Sequence, residues 1–267
     1  MIEYLNAEKP EILALLETKI TQKVADQFKF LHEDYLNFNI FEEKRAYAGV
    51  TLLISKKFIE ALPKFVLDIT DIGLRIIHNH EKFVIFEGLG HAELDKEKRI
   101  LSLFTSQFIL VSCYSLNAGR GLVRLETRIK EWDTALYAYL NKLDKLYSIP
   151  VILAGDLNIA HTEMDIWNSE GNKRSSGHTK EERESFGSFL ENSNYIDLWR
   201  HQNPNVRRYT YWSTMNSKMR KTNLGWRIDL FVATKLMLKH KIFCTIRDAL
   251  PGSDHVPIVL EMAENGK

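Results

Sequence analysis

Apolar residues along this chain follow two rhythms, short runs and a recurrence every three or four positions. The runs read as strands over residues 12–16, 45–55, 64–69, 74–80, 82–88, 99–104, 108–115, 151–154, 209–214, 225–234 and 258–262, most of them bounded by turn-prone or charged residues. Two of them, 74–80 and 82–88, are spaced as a hairpin around His78-Asn79-His80-Glu81, and those histidines read as turn residues rather than metal ligands. The helical rhythm is clearest over 122–143, where Leu125, Ile129, Trp132, Leu136, Tyr139 and Leu143 share a face. Shorter helices are expected over 1–8, which stops before Pro10, over 22–30, and after Thr179, where Glu182 three residues later completes a capping box. Strand, helix and buried strand alternate around 108–154, which indicates a mixed α/β domain. Repeats, low-complexity segments and linkers are absent, so residues 1–267 read as one domain.

Composition narrows the class. Hydrophobic residues make up 45% and charged residues 27% of the 267, the balance of a globular protein rather than a disordered one. Lys and Arg number 36 against 35 Asp and Glu, so no global basic field announces nucleic acid. Local basic runs at Lys173-Arg174, Arg207-Arg208 and Lys218, Arg220, Lys221 read as solvated faces or as a phosphate-tracking patch. Two cysteines, Cys113 and Cys244, suit a reducing compartment. No apolar run reaches the roughly 20 residues of a membrane span, and the start has no secretory pattern, so the expectation is a soluble intracellular protein with no membrane partner.

The chemistry sits where runs end. Residues 151–154 lead into Gly155, Asp156 and Asn158, and in extended backbone the last two point to one face while Leu157 packs behind. A turn could explain that triplet alone. The same position type recurs at Glu17, Tyr114, Asn117, Asp229, Asp254 and His255. Carboxylates for a hard cation, an amide and a histidine with a carboxylate partner are the groups that metal-assisted phosphodiester hydrolysis uses.

The blocks LETK (16–19), YAGV (47–50), NAGRGLVRLE (117–126), GDLNIAHTEMDIWN (155–168), GWRID (225–229) and GSDH with Pro257 resemble the exonuclease III type of apurinic/apyrimidinic endonuclease, within the endonuclease/exonuclease/phosphatase superfamily. The resemblance implies a deoxyribonuclease I-like fold, a four-layer α/β/β/α sandwich. It implies Mg²⁺-dependent hydrolysis, with Mn²⁺ as a substitute, of double-stranded DNA on the 5′ side of an abasic site by a monomer, as in base excision repair. Its balance with 3′ exonuclease and 3′ phosphodiesterase activity stays open. By the same resemblance Glu17 is the principal metal ligand and Asp254 supports the metal or fixes the catalytic histidine. Asp156 and Asn158 serve the metal and the attacking water, His255 paired with Asp229 contacts the scissile phosphate, and Tyr114 is the phosphate-side phenol. Tyr211, Trp226 and Ile228 form the pocket for a flipped-out abasic sugar, and Asn117, Arg120 and Met215 belong to the DNA face. The implied compartment is the nucleus of a eukaryote or the cytoplasm of a prokaryote.

Three departures qualify the resemblance. The family opens with a strand ending in Trp-Asn, and here only Trp167 precedes an asparagine, which leads to the expectation of an N-terminally truncated chain. Leu116 and Lys98 stand where proline and glycine are usual, and the segment of about 55–98 is extended. Two other readings stay open on these residues: a catalytically impaired paralogue or truncated form that binds DNA or protein, and a phosphatase or RNA-directed hydrolase of the same superfamily.

Overall fold

The structure is a computed structural model that describes residues 2–28, 32–42, 46–66, 68–69, 72–214, 218–248 and 252–263. It divides into two compact units, Met1–Tyr114 and Ser115–Lys267. Phe30, Arg45 and Leu67 of the expected elements, Met215, expected on the DNA face, and Leu250 lie outside the described residues. Among those described, no helix is long and apolar enough to cross a membrane.

In the first unit, helix α1 (Ile2–Glu8) precedes strand β1 (Ile12–Leu16), and helix α2 (Gln22–Phe28) leads to β2 (Tyr35–Ile40) and β3 (Val50–Ser55). These strands form an antiparallel sheet ordered β1-β3-β2, in which Ile12 pairs with Ile54 and Tyr35 with Ser55. Only the central β3 is buried almost throughout, whereas every residue of the edge strand β1 is half-buried. Leu5 of α1 caps one face with Tyr35 and Leu53, and Leu13 and Leu15 pack on the same cluster. Ser55 then caps the short helix α3 (Lys56–Ala61), its hydroxyl accepting from the Phe58 N–H, and the helix stops before Pro63.

Strands β4 (Arg75–His80), β5 (Phe83–Glu87), β6 (Ile100–Thr105) and β7 (Ile109–Cys113) follow as an antiparallel meander. The last three are buried at every residue, which is why they read as apolar runs without alternation. The expected hairpin is present, but its turn is at Glu81-Lys82; His78 and His80 lie in β4, with ring centroids 5.3 and 5.1 Å from that of Phe83. The strand expected over 64–69 does not form among its described residues. Phe65 donates one isolated backbone bond to the Glu81 carbonyl, and Val66 is 85% exposed.

The second unit begins with the loop that follows β7. The helix expected from Leu122 starts later, at α4 (Leu125–Thr127), because Gly121 and Leu122 both take positive φ. A π-helical stretch over Arg128–Asp133 joins α4 to α5 (Thr134–Leu146). Strand β8 (Val151–Asp156) comes next, then helix α6 (Lys180–Asn192) with the expected capping box of Thr179 and Glu182. Strand β9 (Tyr195–Asp197), helix α7 (Leu198–Gln202), β10 (Asp229–Thr234), β11 (Lys241–Ile246) and β12 (Ile258–Ala263) complete the unit. Strand β10 runs antiparallel between β8 and β9, and β11 pairs with β12.

The expected strand over 225–234 is therefore shorter, and 209–214 makes only isolated bridges at Tyr211. A local hydrogen-bond knot explains both. The Arg227 N–H donates to the Asp165 carbonyl at 2.7 Å, and the Thr210 and Tyr211 N–H groups both donate to the Trp226 carbonyl. Arg227, only 1% exposed, closes the knot: its Nε donates to Asp165 Oδ1 at 2.7 Å and its Nη2 to Asp197 Oδ2 at 2.6 Å, while Arg200 also donates to Asp165. Burial would raise the Asp165 carboxyl, but Arg227 and then Arg200 outweigh it and hold it well below the usual carboxylate range.

Removing one partner of such a buried pair leaves an uncompensated charge, so Asp165→Asn should lose about 3–5 kcal/mol of stability in denaturant unfolding at pH 7. The folded carboxyl titrates below the unfolded one, so its contribution is complete above the unfolded value of about 3.9 and fades as pH falls through the folded value. The gap between wild type and Asp165→Asn should accordingly narrow below about pH 4; a gap independent of pH would contradict the assignment.

Candidate active site

In the second unit four sequence blocks converge on the end of β8. Strand register does the first part: Asp229, the first residue of β10, pairs with Asp156, the last of β8, so two carboxylates stand directly across from each other. Like charges in that relation repel unless a cation or a proton intervenes. One protein group answers this. His255 Nδ1 lies 2.8 Å from Asp229 Oδ2. Burial acts to lower the imidazole's pKa, but Asp229 overrides it, with Asp156 and Asp254 adding to the effect, and His255 is pushed up to about 10. The Asp229 contact thus favours the protonated imidazole, whose side chain is 24% exposed.

Asn158 sits on the other side of Asp156. Its φ of 50° lets its own N–H turn back to Asp156 Oδ1 at 2.9 Å, an Asx-type turn. Its carboxamide nitrogen donates to the Ser115 carbonyl at 3.0 Å and to Asp156 Oδ2 at 3.3 Å, while its Oδ1 accepts from Asn117 Nδ2 at 2.7 Å. Asn117 Oδ1 in turn accepts from the Gly119 N–H and the Ser176 hydroxyl. The polar loop after residue 168 closes on this arrangement through Gly177, where an added Cβ would lie 3.0 Å from the Asn158 carbonyl and 3.6 Å from the Trp226 ring.

The segment 252–257 is held from behind. The Trp212 N–H donates to the Asp254 carbonyl, the Val256 N–H to the Thr210 carbonyl, and Tyr211 bridges both His255 and Trp226. Tyr211, Trp226 and Trp167 pack on the buried cluster of Ala160, Ile166 and Ile228, and the Tyr211 ring lies 4.8 Å from that of His255. The proposed pocket residues thus gather beside the histidine. Arg120 is exposed on a short 3-10 turn of the same unit, and Asp254 is partly exposed.

In the first unit, Glu17 follows β1 with φ of 53°, exposed and 2.8 Å from Lys19 Nζ. Its turn is tied to the YAGV block by the Thr18 N–H to the Gly49 carbonyl and the Lys19 N–H to the Ala48 carbonyl. Tyr114 is buried at the end of β7, with the Arg99 guanidinium 4.6 Å from its ring centroid and Arg99 Nη2 donating to the Tyr47 hydroxyl. Among the described residues no group of three or more His, Cys, Asp or Glu stands ready to hold a metal.

Sequence reasoning passed over Thr210, Arg99 and Arg128. Arg128 left a signal, a charge on the apolar face of a helix between Leu125 and Trp132. Thr210 left none. Its fully buried hydroxyl oxygen accepts from the Ile228 and Asp229 N–H groups, both at 3.1 Å, and so fixes where β10 delivers its carboxylate.

Thr210→Val keeps the shape and removes that acceptor, so it should cost about 1–3 kcal/mol in denaturant unfolding. Unchanged stability would show that Thr210 does not hold Asp229.

Comparison with known proteins identifies the family. The sequence model of the Endonuclease/Exonuclease/phosphatase family matches residues 1–255. The chain is 40% identical over 259 residues to a DNA-(apurinic or apyrimidinic site) endonuclease of Dictyostelium discoideum, covering 96% of this chain and 64% of that protein. It is 32% identical over 259 residues to an exodeoxyribonuclease of Bacillus subtilis, covering 97% of this chain and 90% of the other. The crystal structure of the AP endonuclease LMAP from Leishmania major superposes with a TM-score of 0.83 at 28% identity, covering 98% of this chain and 81% of that one. The expected mixed α/β fold of the AP endonucleases is thereby met, and the chain belongs to the endonuclease/exonuclease/phosphatase family, among relatives named as AP endonucleases and exodeoxyribonucleases.

Proposed function

We propose that this chain is a metal-dependent phosphodiesterase that cuts double-stranded DNA on the 5′ side of an abasic site, acting as a monomer in whichever compartment holds the DNA. The observation that carries the reading is the paired Asp156 and Asp229, flanked by the Asn158 carboxamide and the His255 imidazolium, beside the cluster of Tyr211, Trp226 and Ile228. Relatives named AP endonuclease, and a family model spanning residues 1–255 of both units, support reading 1–267 as one working domain.

The donor set suits Mg²⁺, with Mn²⁺ as a substitute, because Asp156, Asn158 and Asp254 offer hard oxygens in one unit. Glu17 keeps its place as a ligand on the strength of the family resemblance. A divalent ion bound there supplies charge neutralisation at the phosphate's non-bridging oxygens. The chain's own groups do the rest. Asp156 accepts a proton from the attacking water, and Asn158 fixes that carboxylate's rotamer through two hydrogen bonds. His255, held by Asp229, presents a cation to the phosphate. Tyr211, Trp226 and Ile228 accept the base-less sugar by shape, Tyr114 serves the phosphate, and Asn117, Arg120 and Met215 bind the DNA.

A duplex carrying one abasic analogue, incubated with the 267-residue chain and Mg²⁺, tests this. Incision 5′ to the analogue that stops with EDTA is expected, and Asp156→Asn should slow it by about 10²–10⁴-fold with little change in folding. Binding without nicking would make the chain a DNA-binding module, and equal turnover of a soluble phosphoester would make it a phosphatase; either result overturns the proposal.

A further inference from the structure

One heavily engaged side chain near the proposed site touches no reacting group. Arg128 opens the π-helical stretch and is 2% exposed. Its guanidinium is divided among three segments: Nη1 donates to the Leu116 carbonyl, Nη2 to the Leu157 carbonyl at 2.9 Å, and Nε to Asp133 Oδ1 at 2.7 Å. Asp133, 1% exposed, also accepts from the Ser185 hydroxyl of α6 at 2.8 Å. Leu116 and Leu157 each immediately precede a site asparagine, Asn117 and Asn158, whose carboxamides are hydrogen-bonded to each other at 2.7 Å.

We propose that Arg128 is a positioning residue for hydrolysis, which sets the Asn117–Asn158 carboxamide pair, and through it the Asp156 carboxylate, by clamping the backbone carbonyls of Leu116 and Leu157. The segments 115–117 and 156–158 are joined on one side by the Ser115 N–H to the Asp156 carbonyl at 2.8 Å and by Asn158 Nδ2 to the Ser115 carbonyl. Arg128 supplies the other tie. A planar guanidinium presents donors from three separate nitrogens in a rigid fork, here to two carbonyls and a carboxylate; the three donors of a lysine ammonium share one nitrogen and do not reproduce that span. Leu116 and Leu157 are themselves buried, so their carbonyls have no water to replace the lost donor. The π turn is part of the device. Its i→i+5 bonding puts Arg128 and Asp133, five residues apart, within reach of each other, so the carboxylate anchors the guanidinium from its own helix. Such local widenings of a helix occur often at functional sites. Asp133 in turn is fixed by α6, so the orientation of two site asparagines depends on helix packing in the interior of the unit.

This inference rests on the reading of Asp156 and Asn158 as the groups that serve the attacking water. Its test is Arg128→Lys, which keeps the cation beside Asp133 and forfeits the fork. On the abasic duplex with Mg²⁺, kcat should fall about 10–100-fold while KM stays within about threefold, the signature of lost transition-state alignment rather than lost binding. In an Asn117→Ala background the same change should add less than about threefold, because the carboxamide pair it acts through is already broken. Tyr195→Phe, which removes a buried hydrogen bond to the Leu140 carbonyl, gives a destabilised control whose kcat should match wild type below its unfolding transition. If Arg128→Lys does not fold, Asp133→Asn weakens the Nε anchor and the tie to Ser185 while keeping the guanidinium, and should give a smaller kcat loss with the same non-additivity. In the metal-free protein, the side-chain amide resonances of Asn117 and Asn158 should shift in Arg128→Lys, a readout independent of activity. Unshifted resonances, a wild-type kcat, or an undiminished loss in the Asn117→Ala background would each overturn the role. Absence of cleavage by wild type would instead refute the proposed function, and the amide resonances would then decide the role of Arg128 by themselves.

Discussion

Asp156 and Asp229 stand opposite each other because β8 and β10 pair in one register, and much of the second unit serves that juxtaposition. A slip of one residue would turn every side chain of β10 to the other face, removing Asp229 from the site and Leu230 and Val232 from the core. The apolar burial of those strands therefore enforces a pairing that electrostatics alone would oppose. His255 answers the repulsion through its contact with Asp229.

Charges elsewhere in the unit are buried as ties between segments that have no regular ladder. Arg227 gathers the loop after β8, the end of β9 and its own segment, through Asp165 and Asp197. Arg128 gathers the loop before α4 with the loop at 157. Neither is an efficient way to gain stability, since taking a guanidinium out of water costs several kcal/mol that its partners must offset. What they give is geometry: irregular backbone near the site is held by directional donors rather than by packing alone. The same logic sets Asp229 through the Thr210 hydroxyl.

The sequence disclosed the parts of this arrangement that follow from local rules. The capping box of Thr179 and Glu182 formed where the sequence indicates; the run 151–154 formed a strand that continues to Asp156, and the hairpin of β4 and β5 formed with its turn at Glu81-Lys82 instead. The four family blocks of the second unit meet near the end of β8 because each ends a strand or fills a turn. Strand β2 was overlooked although Leu36, Phe38 and Ile40 alternate with polar neighbours, and so was β11, which has similar alternation. The start of the long helix was misplaced because Gly121 and Leu122 adopt positive φ, which apolar periodicity does not register. The strand expected over 225–234 begins only at Asp229, because residues 226 and 227 spend their backbone donors on Tyr211 and Asp165. Tertiary hydrogen bonds of that kind, like the clamp at Arg128, leave at most a misplaced charge in the sequence.

If the end of β8 handles the phosphodiester, Asp156 and Asn158 stand on the water's side and His255 on the phosphate. A crystal structure of the protein with a nicked abasic duplex and Mg²⁺ tests that division of labour most directly. The cleaved phosphate should lie within hydrogen-bond reach of His255, the base-less sugar against Trp226 and Ile228, and Asp156 should face the phosphorus. A phosphate seated elsewhere, with the Asp156 and His255 pair left facing solvent, would contradict it.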